Sequence, residues 1–202
     1  MIFIDEQFLK KFFVDAKRKG IEFCCGDNPY KPQQKLNEMD IKILHTDKSK
    51  GKFVEMILDC EKQPLPFPNN YFELVVIQGG IEHLNDIYAF MDEVYRILKK
   101  GGIFYCDTPH FSNPFYYWEL DHKHNFHSRS FHSWTEDFGD TSMNRLTKGK
   151  FKIVWSDYSM RFGKIIKPIL GDMQSRRFQI WEEFFSRWLS YVVFMYFRMK
   201  KI

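Results

Sequence analysis

Alanine is nearly missing from this chain of 202 residues, which has only Ala16 and Ala89 against 22 phenylalanines. A skew in base composition explains such a pairing without any functional demand. Cysteine is scarce as well. Cys24, Cys25, Cys60 and Cys106 never repeat a Cys-x-x-Cys spacing, which argues against a zinc knuckle or a disulfide framework and leaves the reducing cytoplasm as the expected compartment. Long apolar runs are missing too: the longest late one, Trp188 to Phe197, is broken by Ser190 and reaches about half of the ~20 residues a spanning helix needs. Met1-Ile-Phe-Ile gives way at once to Asp5 and Glu6, so no secretory signal is expected. Strong charge of one sign is also lacking, and a net +4 is too mild to argue for a nucleic-acid partner. What remains is 44% hydrophobic and 28% charged, enough apolar material for one well-cored domain.

The patterning then alternates between two periods. Phe8, Leu9, Phe12, Phe13 and Ala16 fall on one helical stripe that Asp5 opens and Gly20 is expected to stop. Strands are predicted at Ile21–Cys24, Ile41–His45, Phe53–Leu58, Tyr71–Gln78, Ile103–Asp107 and Phe151–Tyr158. A short helix opened by Pro32 is expected after the first strand. Leu74-Val75-Val76-Ile77 is apolar without interruption, as befits a strand covered on both faces. A strong helix is expected from Asn85 to Lys100, with Arg96, Gly101 and Gly102 closing it, and a further helix near Ser130 to Phe138. Strands and helices alternating at this interval predict an α/β fold: a doubly wound, Rossmann-like, mainly parallel sheet with helices on both faces and a ligand crevice beyond the C-terminal strand ends.

The strand ends carry polar and small residues in a suggestive order. A turn, Glu22-Phe23-Cys24-Cys25-Gly26-Asp27-Asn28-Pro29, follows the first strand. Asp47 follows the second, Asp59-Cys60 the third, and Gln78-Gly79-Gly80-Ile81-Glu82-His83-Leu84 the fourth. The first turn lacks the Gly-x-Gly-x-x-Gly glycines that a nicotinamide dinucleotide's pyrophosphate requires. Instead, Cys24-Cys25-Gly26, the run from Leu65-Pro66-Phe67 to Asn70-Tyr71-Phe72-Glu73, Ile81-Glu82-His83-Leu84 and Arg96-Ile97-Leu98-Lys99-Lys100-Gly101-Gly102 form four ordered boxes. In these the chain resembles the class I S-adenosylmethionine-dependent methyltransferases, over roughly residues 21–109.

That resemblance implies S-adenosylmethionine as cofactor. It also implies roles: Glu22 and the Cys24, Cys25 and Gly26 backbone for the methionine moiety, Asp47 for the ribose hydroxyls, Asp59 and Cys60 for adenine, Gln78 and Gly79 near the transferred methyl. Cys24 departs from the family, whose first turn residue is glycine. Some family members add a second acid three residues before the Glu-His pair to hold a metal. Gly79 stands at that position, so no metal is expected there, and Glu82 and His83 are read as hydrogen-bonding a helix start.

Beyond the fifth strand the sequence turns rich in histidine: His110, then Asp121-His122-Lys123-His124-Asn125-Phe126-His127 and His132. Its Asp-x-x-His and Ser-Phe pattern is similar to that of methyltransferases encoded among polysaccharide-building genes, which implies a small-molecule or carbohydrate acceptor. A histidine titrating near working pH and oriented by a neighbouring acid can take a hydroxyl proton as a bond forms, which makes His110, Asp121, His122 and His124 the candidate catalytic residues. Tyr116, Tyr117 and Trp118 offer a platform for a sugar face. A hydrogen-bonded loop anchor or a zinc site would use the same histidines, but their spacing matches no strong metal motif.

Residues 1–160 thus read as the cofactor domain with an acceptor segment at 109–150, and residues 161–202 as a basic, aromatic helical extension of it. In the latter stretch nine Lys and Arg face three Asp and Glu. Phe178, Trp181, Phe185, Trp188, Val192, Met195 and Met199 recur at alternating three and four residues, predicting one long helix that packs on its own sheet, pairs with a second copy or rests on anionic lipid. The expected function is O-methylation of a small or surface-glycan acceptor. A non-catalytic scaffold of the same fold, or a histidine-site metal protein, are the alternatives.

Overall fold

The computed structural model describes residues 6–31, 40–135, 150–160, 163–184 and 192–202. Seven strands form one sheet in the order β3-β2-β1-β4-β5-β7-β6. β1 (Arg18–Phe23), β2 (Ile41–Asp47), β3 (Met56–Ile57), β4 (Phe72–Gln78) and β5 (Leu98–Pro109) run parallel. β7 (Val192–Lys201) is inserted antiparallel between β5 and β6 (Phe151–Met160). Among the described residues four α-helices accompany them: α1 (Glu6–Phe12), α2 (Ile87–Ile97), α3 (Gly163–Leu170) and α4 (Arg176–Phe184). None of the described helices is long and apolar enough to cross a membrane.

The buried run in β4 shows why the sheet sits at the centre. Successive side chains of a strand point to opposite faces. Val75 and Ile77 accordingly join the large core with Ile21, Phe23, Leu44 and the helix residues Phe90, Met91 and Val94, whereas Leu74 and Val76 join the smaller cluster of Tyr30, Ile41, Ile43 and Tyr105 on the other face. α2 covers the first face with Ile87, Phe90, Met91, Val94 and Ile97. Its start is capped by Asp86, whose carboxylate accepts the Ala89 amide at 2.9 Å.

Several predicted boundaries move. Gly20 does not stop a helix. It lies inside β1 opposite Ile43 and Leu74, where an added Cβ would meet Ile41 Cγ2 at 3.0 Å. Gly101 and Gly102 likewise lie inside β5, because α2 runs directly into that strand at Leu98. Arg96 is not a cap. Its guanidinium donates to the Phe67 and Leu65 carbonyls at 2.7 and 2.8 Å and so ties the Leu65–Asn69 segment to α2. The third strand shrinks to two residues, and Ser130–Trp134 is a short 3-10 turn. The helix expected at Pro32 and the stretch 136–138 lie outside the described residues.

The largest correction concerns the C-terminus. The three-four seam is not one helix: Phe178 and Trp181 lie in α4, whereas Val192, Met195 and Met199 lie in the interior strand β7. Phe185 and Trp188 fall outside the described residues. Met195, Phe197 and Met199 alternate into the core, and the long helix on which pairing with a second copy or resting on lipid depended does not form. The basic residues of this stretch are partly absorbed into the fold. Lys201 Nζ reaches Asn70 Oδ1, Tyr95 O and Leu98 O at 2.6–2.9 Å, and Arg198 donates to Tyr30 Oη at 3.1 Å.

Candidate functional site

The strand order reverses direction between β1 and β4, and a doubly wound sheet opens its ligand crevice beyond the C-terminal strand ends at such a point. A cavity of about 280 Å³ lies there. Cys24, Asp47, Asp59, Cys60, Gly79, Gly80, His83 and Asp121 are among the residues that line it. Of the nine cofactor residues implied by the resemblance, Cys24, Asp47, Asp59, Cys60 and Gly79 therefore face one space.

Asp47 is fixed from both sides, accepting the Ser49 amide at 2.9 Å and the Gly26 amide at 3.2 Å. Asp59 accepts the Glu61 amide at 3.1 Å, so both carboxylates meet the cavity already oriented. Gly79 takes a positive φ of 54°, and its amide donates to Asp107 Oδ1 at 3.0 Å. A Cβ on neighbouring Gly80 would come within 2.9 Å of Cys24 Cβ. Cys24 itself adopts φ 55°, a conformation that favours glycine, and its sulfur lies 3.9 Å from that of Cys60. Hydrogen bonding to Cys24 and burial push the Cys60 thiol far above its ordinary range.

The other four residues brace the wall rather than line it. Glu22 is fully buried, with its carboxylate accepting the Tyr30 amide at 2.9 and 3.0 Å and sitting 2.6 Å from His45 Nδ1. It holds the turn from 24 to 30 against β2. Cys25 is buried, and burial with the charges of Glu22 and Asp47 pushes its thiol up to about 12. Gly26 presents open space to an added Cβ and spends its amide on Asp47. Gln78 donates to Asp107 Oδ2 at 3.0 Å. Asp107 is a residue that sequence reading missed. It is a buried acid at the end of a strand that gave no sign of pinning two pocket residues. Burial raises its pKa, against the hydrogen bonds from Gln78 and Gly79.

The four candidate catalytic residues separate. Only Asp121 lines the cavity. Its Oδ2 lies 3.0 Å from His83 Nδ1, out of hydrogen-bonding alignment, so His83 replaces the expected histidines as the imidazole at the pocket. His83 was read as part of a helix start; the structure keeps it in the 3-10 turn Ile81–His83 but turns it toward the loop. His110 is fully buried, bonded to Ser112 Oγ and Glu182 Oε1 at 2.7 Å each. Burial lowers its pKa despite Glu182. It holds α4 rather than a substrate. His124 is spent on the Leu84 carbonyl at 2.8 Å, and His122 Nδ1 on the Tyr116 carbonyl at 2.9 Å. Tyr116 is buried, while Tyr117 and Trp118 stay 63% and 75% exposed beside the loop that carries Asp121.

The donor set fits an adenosine-bearing ligand: two pre-oriented carboxylates suited to hydroxyl and amino donors, a turn of small residues, and apolar Leu58 and Leu84 in the same wall. A model of the family described as "Methyltransferase domain" matches residues 34–106. The demethylmenaquinone methyltransferase of Geobacillus stearothermophilus is 25% identical over 112 residues, 48% of this chain and 48% of that protein. A ubiquinone/menaquinone biosynthesis C-methyltransferase of Stenotrophomonas maltophilia is 44% identical over 45 residues, 22% of this chain and 18% of its own length. The chain thus spans about half the length of the demethylmenaquinone methyltransferases it matches. Among solved structures, a SAM-dependent methyltransferase from Archaeoglobus fulgidus superposes with a TM-score of 0.61 at 16% identity, covering 97% of this chain and 90% of that one. One from Mesorhizobium loti gives 0.54 at 12% identity, covering 92% and 91%.

Proposed function

We propose that this chain, whose residues 34–106 match the methyltransferase-domain family, is a class I S-adenosylmethionine-dependent methyltransferase that methylates an oxygen of a small or carbohydrate acceptor. One observation carries the reading: Asp121, from the loop after β5, stands in the wall of the same cavity as Asp47 and Asp59. Binding groups and a proton acceptor thereby share one space. When bound, S-adenosylmethionine supplies an electrophilic methyl on a sulfonium. The chain's own residues do the rest. Asp47 and Asp59 accept hydrogen bonds from the adenosine portion, and the backbone around Cys24 and Gly79 fixes its other end. Asp121, with His83 beside it, receives the acceptor's hydroxyl proton, and Tyr117 and Trp118 offer ring faces to a sugar.

A second reading, methylation at carbon, is favoured by the named chemistry of the quinone-biosynthesis relatives. Calorimetric titration with S-adenosylmethionine and its demethylated product, followed by turnover on a panel of sugars, phenols and quinols, separates the two. Binding of both ligands is expected, weakened roughly tenfold or more by Asp47→Ala, which corresponds to the loss of ~1.4 kcal/mol. Product carrying a new O-methyl supports the first reading and a new C-methyl the second. No binding of either ligand at millimolar concentration overturns the methyltransferase reading itself.

A further inference from the structure

Cys24 stands where the resemblance puts glycine. It holds φ 55°, a region that glycine occupies freely and a residue with a Cβ only under strain. Room is kept for its side chain on the facing turn, where a Cβ on Gly80 would lie 2.9 Å from Cys24 Cβ and 3.3 Å from its sulfur. A strained backbone at 24 and a bare glycine at 80 thus serve one group, the Cys24 thiol.

That thiol has a partner. Cys24 Sγ lies 3.9 Å from Cys60 Sγ, although the two residues are 36 apart in sequence and follow strands that are not neighbours, since β2 separates β1 from β3. The end of β2 brings them together. The Cys25 amide donates to the Thr46 carbonyl at 3.1 Å and the Leu58 amide to the Asp47 carbonyl at 2.8 Å, so both turns hang from one strand end. All four cysteines are free thiols, and the other two face backbone: Cys25 Sγ donates to the Gly26 carbonyl and Cys106 Sγ to the Asp107 carbonyl, each at 3.7 Å. Hydrogen bonding to Cys24 and burial keep Cys60 protonated, which makes it the donor of the pair. Both sulfur-bearing residues line the cavity, Cys24 half-buried and Cys60 buried, so a small oxidant entering the cavity meets Cys24 first.

We propose that Cys24 and Cys60 form a dithiol site that a hydroperoxide oxidises to a reversible disulfide in the wall of the cavity. The Cys24 sulfur attacks a peroxide oxygen, the O–O bond breaks, and a sulfenic acid forms with release of one water. The Cys60 sulfur then attacks the Cys24 sulfur. The S–S bond forms, the S–O bond breaks, and the departing hydroxyl takes the Cys60 proton as a second water. Two thiols have together lost two electrons and two protons, and one hydrogen peroxide has become two waters. A dithiol reductant reverses the change by exchange. The sulfurs must approach by about 2 Å to bond, which draws the two turns together and narrows the cavity between them. Exclusion of S-adenosylmethionine from the narrowed cavity rests on the methyltransferase reading. Formation of the disulfide does not.

The test uses the full chain, reduced and then treated with stoichiometric hydrogen peroxide. Trypsin digestion without reductant is expected to give one cross-linked species, joining residues 20–35 to residues 53–62, that dithiothreitol removes. Cys25→Ala, which deletes the other thiol of the first peptide, should keep the link, whereas Cys24→Ala and Cys60→Ala should each abolish it. By calorimetry S-adenosylmethionine should bind the oxidised protein at least tenfold more weakly than the reduced protein. Dithiothreitol should restore the affinity, and because it does not reverse methionine oxidation, that recovery assigns the loss to the disulfide. Cofactor binding by Cys24→Ala should be indifferent to peroxide. Failure of the link to form overturns the proposal, as does a link that runs to Cys106 instead. Equal cofactor affinity in the reduced and cross-linked states overturns the narrowing of the cavity. A link in protein that binds no S-adenosylmethionine in either state supports the dithiol site and removes the methyltransferase reading alone.

Discussion

In the parallel part of the sheet, β1 to β4, the carboxylates that line the cavity are held differently from the buried charges of the C-terminal part, β5 to β7 with α3 and α4. In the first, Asp47 and Asp59 are each held by backbone amides yet still present a face to the cavity. In the second, charge is enclosed. Glu182 is fully buried and receives the Ser128 amide and hydroxyl at 2.8 and 2.5 Å and His110 Nε2 at 2.7 Å, with His127 Nε2 at 3.2 Å. Lys201 is enclosed by three oxygens. Half-satisfied charge is suited to a ligand; fully satisfied charge is suited to fixing one segment on another. Glu182 anchors the start of the post-β5 segment, which carries Asp121 and His122, to α4. The C-terminal half is thus a clamp on the segment that carries Asp121.

The most drastic way to break that comparison is to delete residues 192–202. β7 hydrogen-bonds to β5 on one side and β6 on the other, so its loss leaves two unpaired inner edges and a stripped core. Loss of the cooperative unfolding transition and of S-adenosylmethionine binding is expected, read by circular dichroism and calorimetry. The milder Phe197→Ala, at a fully buried ring, should cost about 3–5 kcal/mol in urea unfolding. A truncated chain that still folds and binds cofactor would make the C-terminus a separable extension.

Removing the clamp's central charge comes next. Burial alone would raise the Glu182 carboxyl, but the bonds from His110 and Ser128 outweigh it and hold it below the ordinary range. A folded-state pKa depressed in this way contributes stability that is complete above the unfolded value, about 4.3, and lost as pH falls through the folded one. Burial lowers His110 despite its bond to Glu182, so its contribution too is present above about 6.5 and declines on acidification. Glu182→Ala should therefore cost about 3–5 kcal/mol at pH 7, the penalty of leaving buried partners unpaired, and less only as pH falls below about 4.3 and Glu182 itself takes a proton. Urea unfolding of both proteins across that range measures the gap. A gap that is constant with pH would mean that the carboxylate acts by packing alone.

The two halves were also unequally legible. In the parallel half, apolar runs buried on both faces leave one assignment open to Leu74–Ile77, and a polar residue directly after a strand lands at the crevice by topology; Asp47 and Asp59 were placed for that reason. Glu22 and Gln78 were misplaced because strand-end position says nothing of which way a side chain is drawn, and Tyr30, His45 and Asp107 draw them away from the cavity. In β7 two periods coincide. Met195 and Met199 satisfy a helical seam and an alternating strand equally, and Phe197 and Arg198 decide only once β5 and β6 are there to receive them. His83 was hidden for a related reason: its partners Asp121 and His122 arrive from a loop that obeys no short period.

The smallest effect tests a strained turn in the parallel half. Cys24 holds φ 55°, and a non-glycine residue in that region costs roughly 1–2 kcal/mol. Cys24→Gly releases that strain but gives back about 0.5–1 kcal/mol in backbone entropy, so a net stabilisation of about 1 kcal/mol or less is expected in urea unfolding. The pocket changes more than the stability, because removing the Cys24 side chain clears the space over Gly80 and separates it from Cys60. S-adenosylmethionine should then bind more tightly by calorimetry. A weaker affinity would show that the thiol is a contact, and that this half has traded the glycine turn for a sulfur-lined one.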